Sequence, residues 1–131
     1  MATRFVPEEI VPFLHADLIR RYGGRYGLRD PGLLSSALAQ PKTTGAGKHL
    51  HRTIFDKAAA YGYHLSRNHP FVDGNKRIAF VVMDIFLQMN GWQIDASEEE
   101  AYSTISTLAA GSISKPALAK WLKAHCSRLS E

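Results

Sequence analysis

The sequence predicts a single all-α domain, a compact helical bundle around one buried central helix. Three observations carry that expectation. Apolar residues recur three and four apart in successive blocks, each closed by Gly, Pro or Asn-Gly. The stretch from Ile78 to Met89 is apolar on nearly every side, broken only by Asp84 and Gln88, as befits a helix surrounded by others. No strand-like alternation runs beyond a few residues, apart from the short Trp92-Gln93-Ile94 piece. With 131 residues, 45% of them hydrophobic, and neither an internal repeat nor a linker, the chain reads as one domain, 1–131. A chain of that length can bury roughly two thirds of its unfolded surface without covalent staples.

The elements follow in order. The first helical block runs from about Pro7 to Tyr22, opening with Pro7-Glu8-Glu9 and stopping at Gly23-Gly24, with Ile10, Phe13, Leu14, Leu18 and Ile19 at helical spacing. Pro12 removes a donor inside this block, so the helix either kinks there or begins later than Pro7. Asp30-Pro31 reads as an N-cap followed by proline at the first helical position; Leu33, Leu34, Ala37 and Leu38 follow, and Gln40-Pro41 ends the helix. Residues 41–52, PKTTGAGKHLHR, have no apolar period and are expected to form a mobile loop. A third helix spans roughly Thr53 to Arg67, with Ile54, Phe55, Ala58, Tyr61, Gly62 and Leu65 on one side. HPFVDG at 69–74 interrupts the pattern, and the central helix begins near Asn75 and stops at Asn90-Gly91. Ser97-Glu98-Glu99-Glu100 is a capping box opening a helix that Gly111 closes. The last helix starts around Ser114-Lys115-Pro116 and carries Leu118, Trp121 and Leu122.

Composition removes several function classes. Cys126 is the lone cysteine, which excludes an intramolecular disulfide framework and a cysteine-built zinc site; with no base nearby it reads as inert. The N-terminal residues lack the apolar core of a signal peptide, and no stretch approaches the ~18 apolar residues of a membrane span, so a cytoplasmic protein without a membrane partner is expected. The net charge of +4 invites a nucleic-acid reading. However, Arg20, Arg21, Arg25 and Arg29 form one loose group and Lys115, Lys120, Lys123 and Arg128 another, neither interleaved with several aromatics. Such an excess suits a solvated surface or a dock for an acidic partner, and no direct nucleic-acid contact is expected. His49 and His51 have no obvious third ligand, and His15 and His125 read as surface residues. Trp92 and Trp121 read as core anchors. Gly45-Ala46-Gly47-Lys48 is not a P-loop, because Lys42 stands where its first glycine belongs and His49 where Ser or Thr belongs.

One segment does not read as core. His69-Pro70-Phe71-Val72-Asp73-Gly74-Asn75-Lys76-Arg77 gathers an imidazole, a carboxylate, an amide and two cations immediately ahead of the most buried helix. Cations in the first turn of such a helix need a cleft and an anion to meet. The unpaired N–H groups at a helix start, with the helix dipole behind them, attract phosphate. Gly74 lets the backbone approach a ligand closely. Arg77 can fork onto two phosphate oxygens, with Lys76 adding a point charge. Asp73 suits a hard cation such as Mg²⁺ that bridges phosphate oxygens. His69 supplies the side chain that changes charge nearest neutral pH, and so can accept a proton from a hydroxyl. Base, cation ligand and anion cradle are the parts that phosphoryl or nucleotidyl transfer requires. Residue by residue, a turn with a buried aromatic and an Asp73 N-cap would serve as well; the grouping favours the site.

HPFVDGNKR resembles the signature loop of the Fic/Doc (Fido) family, most closely its Doc, or death-on-curing, branch. HADLIRRYGG, DPGLLSSALAQP, Arg67 just ahead of the motif, and AAGSIS are similar to the Doc pattern as well, so the resemblance covers nearly the whole chain. It implies a Fido-type helical bundle with His69 as general base for a hydroxyl on a target protein and Asp73 as the Mg²⁺ ligand. It places Arg67, Gly74, Asn75, Lys76 and Arg77 at the nucleotide and its phosphates. It also makes the 41–52 loop a flap that helps position the target, with Lys48 as a residue touching it.

Most Fic enzymes transfer adenosine monophosphate from ATP, and carry glycine in place of Lys76 and a second arginine in place of Phe80. The Doc branch, with the lysine, transfers the terminal phosphate of ATP to a threonine of elongation factor Tu and so stops translation. The resemblance therefore implies a toxin using ATP and Mg²⁺ as a protein kinase, with adenylyl transfer as the alternative that Gly74, matching the Fic signature, keeps open. The chain shows no Ser/Thr-x-x-x-Glu-Gly/Asn inhibitory segment, so restraint is expected from a Phd-like antitoxin whose disordered tail folds on the toxin. The alternative of another class is a non-enzymatic basic helical module that binds nucleic acid.

Overall fold

Capping residues set most of the helix boundaries. In the computed structural model, which describes residues 2–45, 48–49 and 51–129, a 3₁₀ turn over Glu8–Ile10 leads into helix α1, Val11–Tyr22. Pro12 thus falls in the first turn, where a missing N–H goes unnoticed, and the later start is the correct alternative. Helix α2, Pro31–Ala39, is capped by Asp30, whose carboxylate accepts from the Leu33 N–H at 3.0 Å. Helix α3, Ile54–Asn68, opens on a reciprocal box: Thr53 Oγ1 accepts from the Asp56 N–H, and the Asp56 carboxylate accepts from the Thr53 N–H. Helix α4, Asn75–Met89, follows the signature loop. Helices α5, Glu98–Ala109, and α6, Lys115–His125, start on the hydroxyls of Ser97 and Ser114.

The loop expected over 41–52 carries regular structure instead. A 3₁₀ turn over Gln40–Lys42 is followed by a small antiparallel hairpin of β1, Thr44–Gly45, and β2, Lys48–His49. Two-residue strands are made by main-chain pairing and need no apolar alternation, so nothing in the side-chain pattern announces them. The Trp92–Ile94 piece is a strand, β3, and its antiparallel partner is the unanticipated β4, Cys126–Arg128, in the register Trp92 to Arg128 and Ile94 to Cys126.

The core is helix on helix. α3 packs along α4 and α6 and also meets α2 and α5, while α4 further contacts α1 and β3. Gly62 makes the close approach possible: a Cβ there would lie 3.0 Å from Met83 Sδ and 3.3 Å from both Ile105 and Leu118. Tyr61, Leu65, Ile78, Phe86, Leu87 and Leu118 are all buried at this junction, each burial contributing about 1.5–3 kcal/mol. The Tyr61 hydroxyl accepts from the Val6 N–H at 3.1 Å, tying the N-terminal arm down, and burial pushes its pKa up to about 12. Trp92 and Trp121 are half-buried against this core.

Two histidines depart from the surface placement expected of them. His15 is 2% exposed, and His125 is half-buried, stacked on Trp121 at 4.2 Å. His15 lies on the same side of α1 as Val11, Leu18 and Ile19, where its ring finds an aromatic partner. Cys126 is half-buried, and burial raises its thiol pKa to about 11, in keeping with an inert role. No helix among the described residues is long and apolar enough to cross a membrane.

Candidate active site

The signature loop begins where α3 runs out of partners for its last carbonyls. His69, the C-cap, sits in the left-handed region at φ 49°, ψ 56°, and among the described residues it is the one non-glycine with positive φ. Arg29 holds it there: its Nε and Nη2 donate to the His69 carbonyl at 2.9 and 2.5 Å, and Nη2 also donates to the Asn68 carbonyl at 3.2 Å. A cation on the carbonyl end of a helix also complements the helix dipole. The main-chain N–H groups of Arg29 and Asp30 both donate to the Pro70 carbonyl, the Val72 N–H donates to the Gly27 carbonyl, and Leu28 and Phe71 form an antiparallel bridge. The α1–α2 connection thus runs beside the loop and is stitched to it.

Phe71 anchors the loop in the core at 2% exposure. Asn75 brackets it, its side-chain oxygen accepting from the Phe71 N–H and its amide nitrogen donating to the Phe71 carbonyl, both at 3.0 Å. Asn75 therefore lines the cleft while holding the loop's curvature. Its amide nitrogen also lies 3.4 Å from His69 Nδ1, beyond the ~2.7–3.2 Å of a good N–H bond, so it does not dictate the imidazole tautomer. The side chain of His69 itself is exposed.

Asp73 is placed from three directions. Its Oδ1 accepts from the Gly74 N–H at 2.9 Å, its Oδ2 accepts from the Arg25 N–H at 3.2 Å, and its carbonyl faces Nε2 of His15 at 2.7 Å. Gly24, at φ +114°, leaves room for the carboxylate, since a Cβ there would stand 2.8 Å from Asp73 Oδ2. Gly74, at φ +73°, turns the chain into α4 and supplies no side-chain cap, which leaves the first N–H groups of that helix without intrahelical partners.

A cleft of about 310 Å³ opens at this helix start, and His69, Asp73, Gly74, Asn75, Lys76 and Arg77 all line it. Lys76 is exposed. Arg77 lies over two tyrosine rings, 4.0 Å from the centroid of Tyr22 and 4.7 Å from that of Tyr102, and Tyr102 completes the wall. Arg67 is not among the lining residues; its guanidinium lies over the Tyr63 ring at 5.4 Å, near Gly111. Lys48 belongs to β2 by its backbone, and its side chain lies outside the described residues, as does that of His49. The residues that sequence reading missed, His15, Tyr22, Gly24, Arg29 and Tyr102, are distant in the chain and meet the loop through folding alone. Of the first basic group, Arg20 and Arg21 pair with Asp17, Arg29 engages the loop through its guanidinium, and Arg25 meets it through its main-chain N–H.

A model of the Fic/DOC family matches residues 5–87. The chain belongs to the Fic/DOC family. It is similar to a protein of Mycolicibacterium smegmatis named Toxin Doc, 45% identical over 75 residues, which span 57% of this chain and 58% of that relative. It is also similar to a protein of Escherichia phage P1 named Protein kinase doc, 35% identical over 117 residues, which cover 89% of this chain and 90% of the relative. The helical bundle described above is the Fic/DOC fold.

A Fic/DOC site of this composition can be tested for fit to Mg²⁺ and a nucleotide. Among the described residues no group of three or more His, Cys, Asp or Glu side chains could hold a metal. An all-protein cage is therefore not the fit. Mg²⁺, however, is ordinarily held by one or two carboxylates together with phosphate oxygens and water, and Asp73, on a rim that also carries Lys76 and Arg77, suits that shared mode.

Proposed function

We propose that this Fic/DOC protein is a toxin that transfers the terminal phosphate of ATP to a Ser or Thr hydroxyl of a translation factor, elongation factor Tu being the expected target. One observation carries the reading: a single cleft at the start of α4 gathers an exposed imidazole, a carboxylate and two cations that pair with no carboxylate among the described residues. The similarity to a phage P1 protein whose name is Protein kinase doc supports phosphoryl rather than adenylyl transfer.

In this reading His69 takes the proton of the target hydroxyl as its oxygen bonds to the γ-phosphorus of ATP, while the bridging P–O bond between the β and γ phosphates breaks and ADP leaves with that electron pair. Arg77 and Lys76 neutralise the charge that spreads over the phosphate oxygens, and the N–H groups of the α4 start face the same anion. Mg²⁺, held by Asp73 and phosphate oxygens, would supply further charge neutralisation when bound. Arg29 and Asn75 fix the loop so that these groups hold their spacing. A Phd-like antitoxin is the expected partner, binding this basic chain through an acidic tail, and the expected compartment is the cytoplasm.

The deciding experiment incubates the protein with Mg²⁺, elongation factor Tu and ATP labelled at the α or the γ phosphate. Label from the γ position alone supports the kinase. Label from the α position establishes adenylyl transfer, the alternative that Gly74 keeps open. Label from neither removes this assignment of target and chemistry.

A further inference from the structure

Arg77 has an unusual setting for a cation in the first turn of a central helix. The ion pairs among the described residues join Asp17 to Arg20 and Arg21, and Arg77 belongs to neither. Its company is aromatic. Tyr22 is the last residue of α1 and Tyr102 lies in α5, so the two rings come from helices eighty residues apart in sequence and meet one guanidinium on α4 at 4.0 and 4.7 Å. The side chain of Arg77 is half-buried, whereas Tyr22 is 50% exposed. That exposure is hard to account for by burial of apolar area.

Electrostatics accounts for it better. An aromatic face attracts a guanidinium through its quadrupole and does not compete for the N–H donors, which lie in the guanidinium plane. A carboxylate in the same place would fix Arg77 equally well but would occupy those donors and cancel the charge. Aromatic neighbours therefore restrain a long, rotamer-rich side chain and leave its charge and its forked donors available to an anion. The side chain is ordered before the ligand arrives, so less freedom is lost on binding.

We infer that Tyr22 and Tyr102 are positioning residues that hold the Arg77 guanidinium by their ring faces, aimed for a phosphate in the cleft. This rests on the reading of the cleft as a nucleotide site. It assigns a role to the rings and none to the hydroxyls.

The test is calorimetric titration of the protein with Mg²⁺-ATP, and separately with pyrophosphate, for wild type, Tyr22→Leu, Tyr102→Leu, the two Phe variants, Arg77→Ala, and each Leu variant combined with Arg77→Ala. Each Leu variant is expected to weaken binding about tenfold, and each Phe variant to stay within about twofold of wild type. In the Arg77→Ala background the Leu substitutions should have almost no further effect, because the rings act through that residue. The Arg77 Nε–H resonance should be displaced by the ring currents in wild type and return toward a free-arginine position in the Leu variants. Far-ultraviolet circular dichroism identifies variants that keep the bundle; Tyr22, half in solvent, gives the safer arm if Tyr102→Leu unfolds. Wild type that binds neither ligand overturns the nucleotide reading and the positioning role with it. Wild type that binds, with Leu variants equal to it or with effects that add fully to Arg77→Ala, overturns the positioning role alone.

Discussion

The carbonyl of Asp73 lies 2.7 Å from Nε2 of His15, fifty-eight residues earlier in the chain. A carbonyl only accepts, so this nitrogen carries the proton and donates. The same imidazole lies flat on Phe71, ring centroids 3.8 Å apart and 8° from parallel. One buried ring on α1 thus supports both the apolar anchor of the signature loop and the main chain of its carboxylate.

His15→Ala should lower stability by about 2–4 kcal/mol, since it opens a cavity beside Phe71 and strands a carbonyl. His15→Gln keeps a donor and loses the stack, and should fall between Ala and wild type. Urea unfolding monitored by circular dichroism checks both, and an Ala variant as stable as wild type would contradict the supporting role.

Gly24→Ala should weaken Mg²⁺-dependent nucleotide binding roughly as much as Asp73→Asn does. The added methyl would meet Asp73 Oδ2 at 2.8 Å, and φ +114° is a conformation that side chains rarely adopt. The backbone strain adds about 1–3 kcal/mol of destabilisation. Titration with ATP in the presence and absence of Mg²⁺ separates the two effects, because loss of the carboxylate's position acts only on the Mg²⁺-dependent part.

Arg29→Ala should reduce the rate of label transfer by about ten- to a hundredfold while costing about 1–2 kcal/mol of stability. It releases the two carbonyls that hold His69 in the left-handed region. Arg29→Lys should rescue stability better than rate, since a single ammonium cannot reproduce the fork. Single-turnover transfer at saturating ATP is the relevant measurement.

A histidine–lysine cluster predicts how acid acts on the fold. Lys115 Nζ donates to Nε2 of His51 at 3.0 Å and to Nε2 of His64 at 3.1 Å, tying α6 to α3 and to the base of the hairpin segment. Burial, reinforced by Lys115 and His51, pulls the His64 pKa from 6.5 down to about 4, and burial with Lys115 lowers that of His51. Between these values the unfolded chain binds the His64 proton and the folded chain does not, so stability is complete above pH 6.5 and is lost as pH falls toward 4. The contribution is on the order of 1–2 kcal/mol once solvent screening is allowed for. His64→Gln should flatten the slope of unfolding free energy over that window; an unchanged slope would rule out this cluster as its source.

Helices and loop were legible in the sequence for different reasons. Asp30-Pro31, Ser97 with Glu100, and Ser114 announce helix starts locally, and the structure places caps at each. The signature loop was legible because its imidazole, carboxylate and cations are contiguous. Its supports were not. Arg29 lies forty residues from the carbonyl it holds, and Tyr22 and Tyr102 are ordinary members of amphipathic helices until α1, α4 and α5 converge on Arg77. His15 has the same polar letter whether it faces water or stacks on Phe71, and only packing decides. Strand β4 escaped notice because three residues, Cys126–Arg128, have no period to read.

The stitching of residues 25–30 to the signature loop has a practical side. The N–H groups of Arg25, Arg29 and Asp30 and the carbonyl of Gly27 make the ties, and any residue but proline supplies both main-chain groups. Tyr26 and Leu28, 61% and 39% exposed, can therefore be exchanged for any residue but proline without cutting a stitch. Together with exposed Val72 they make a small surface beside the cleft that can be varied while the loop's frame stays as it is.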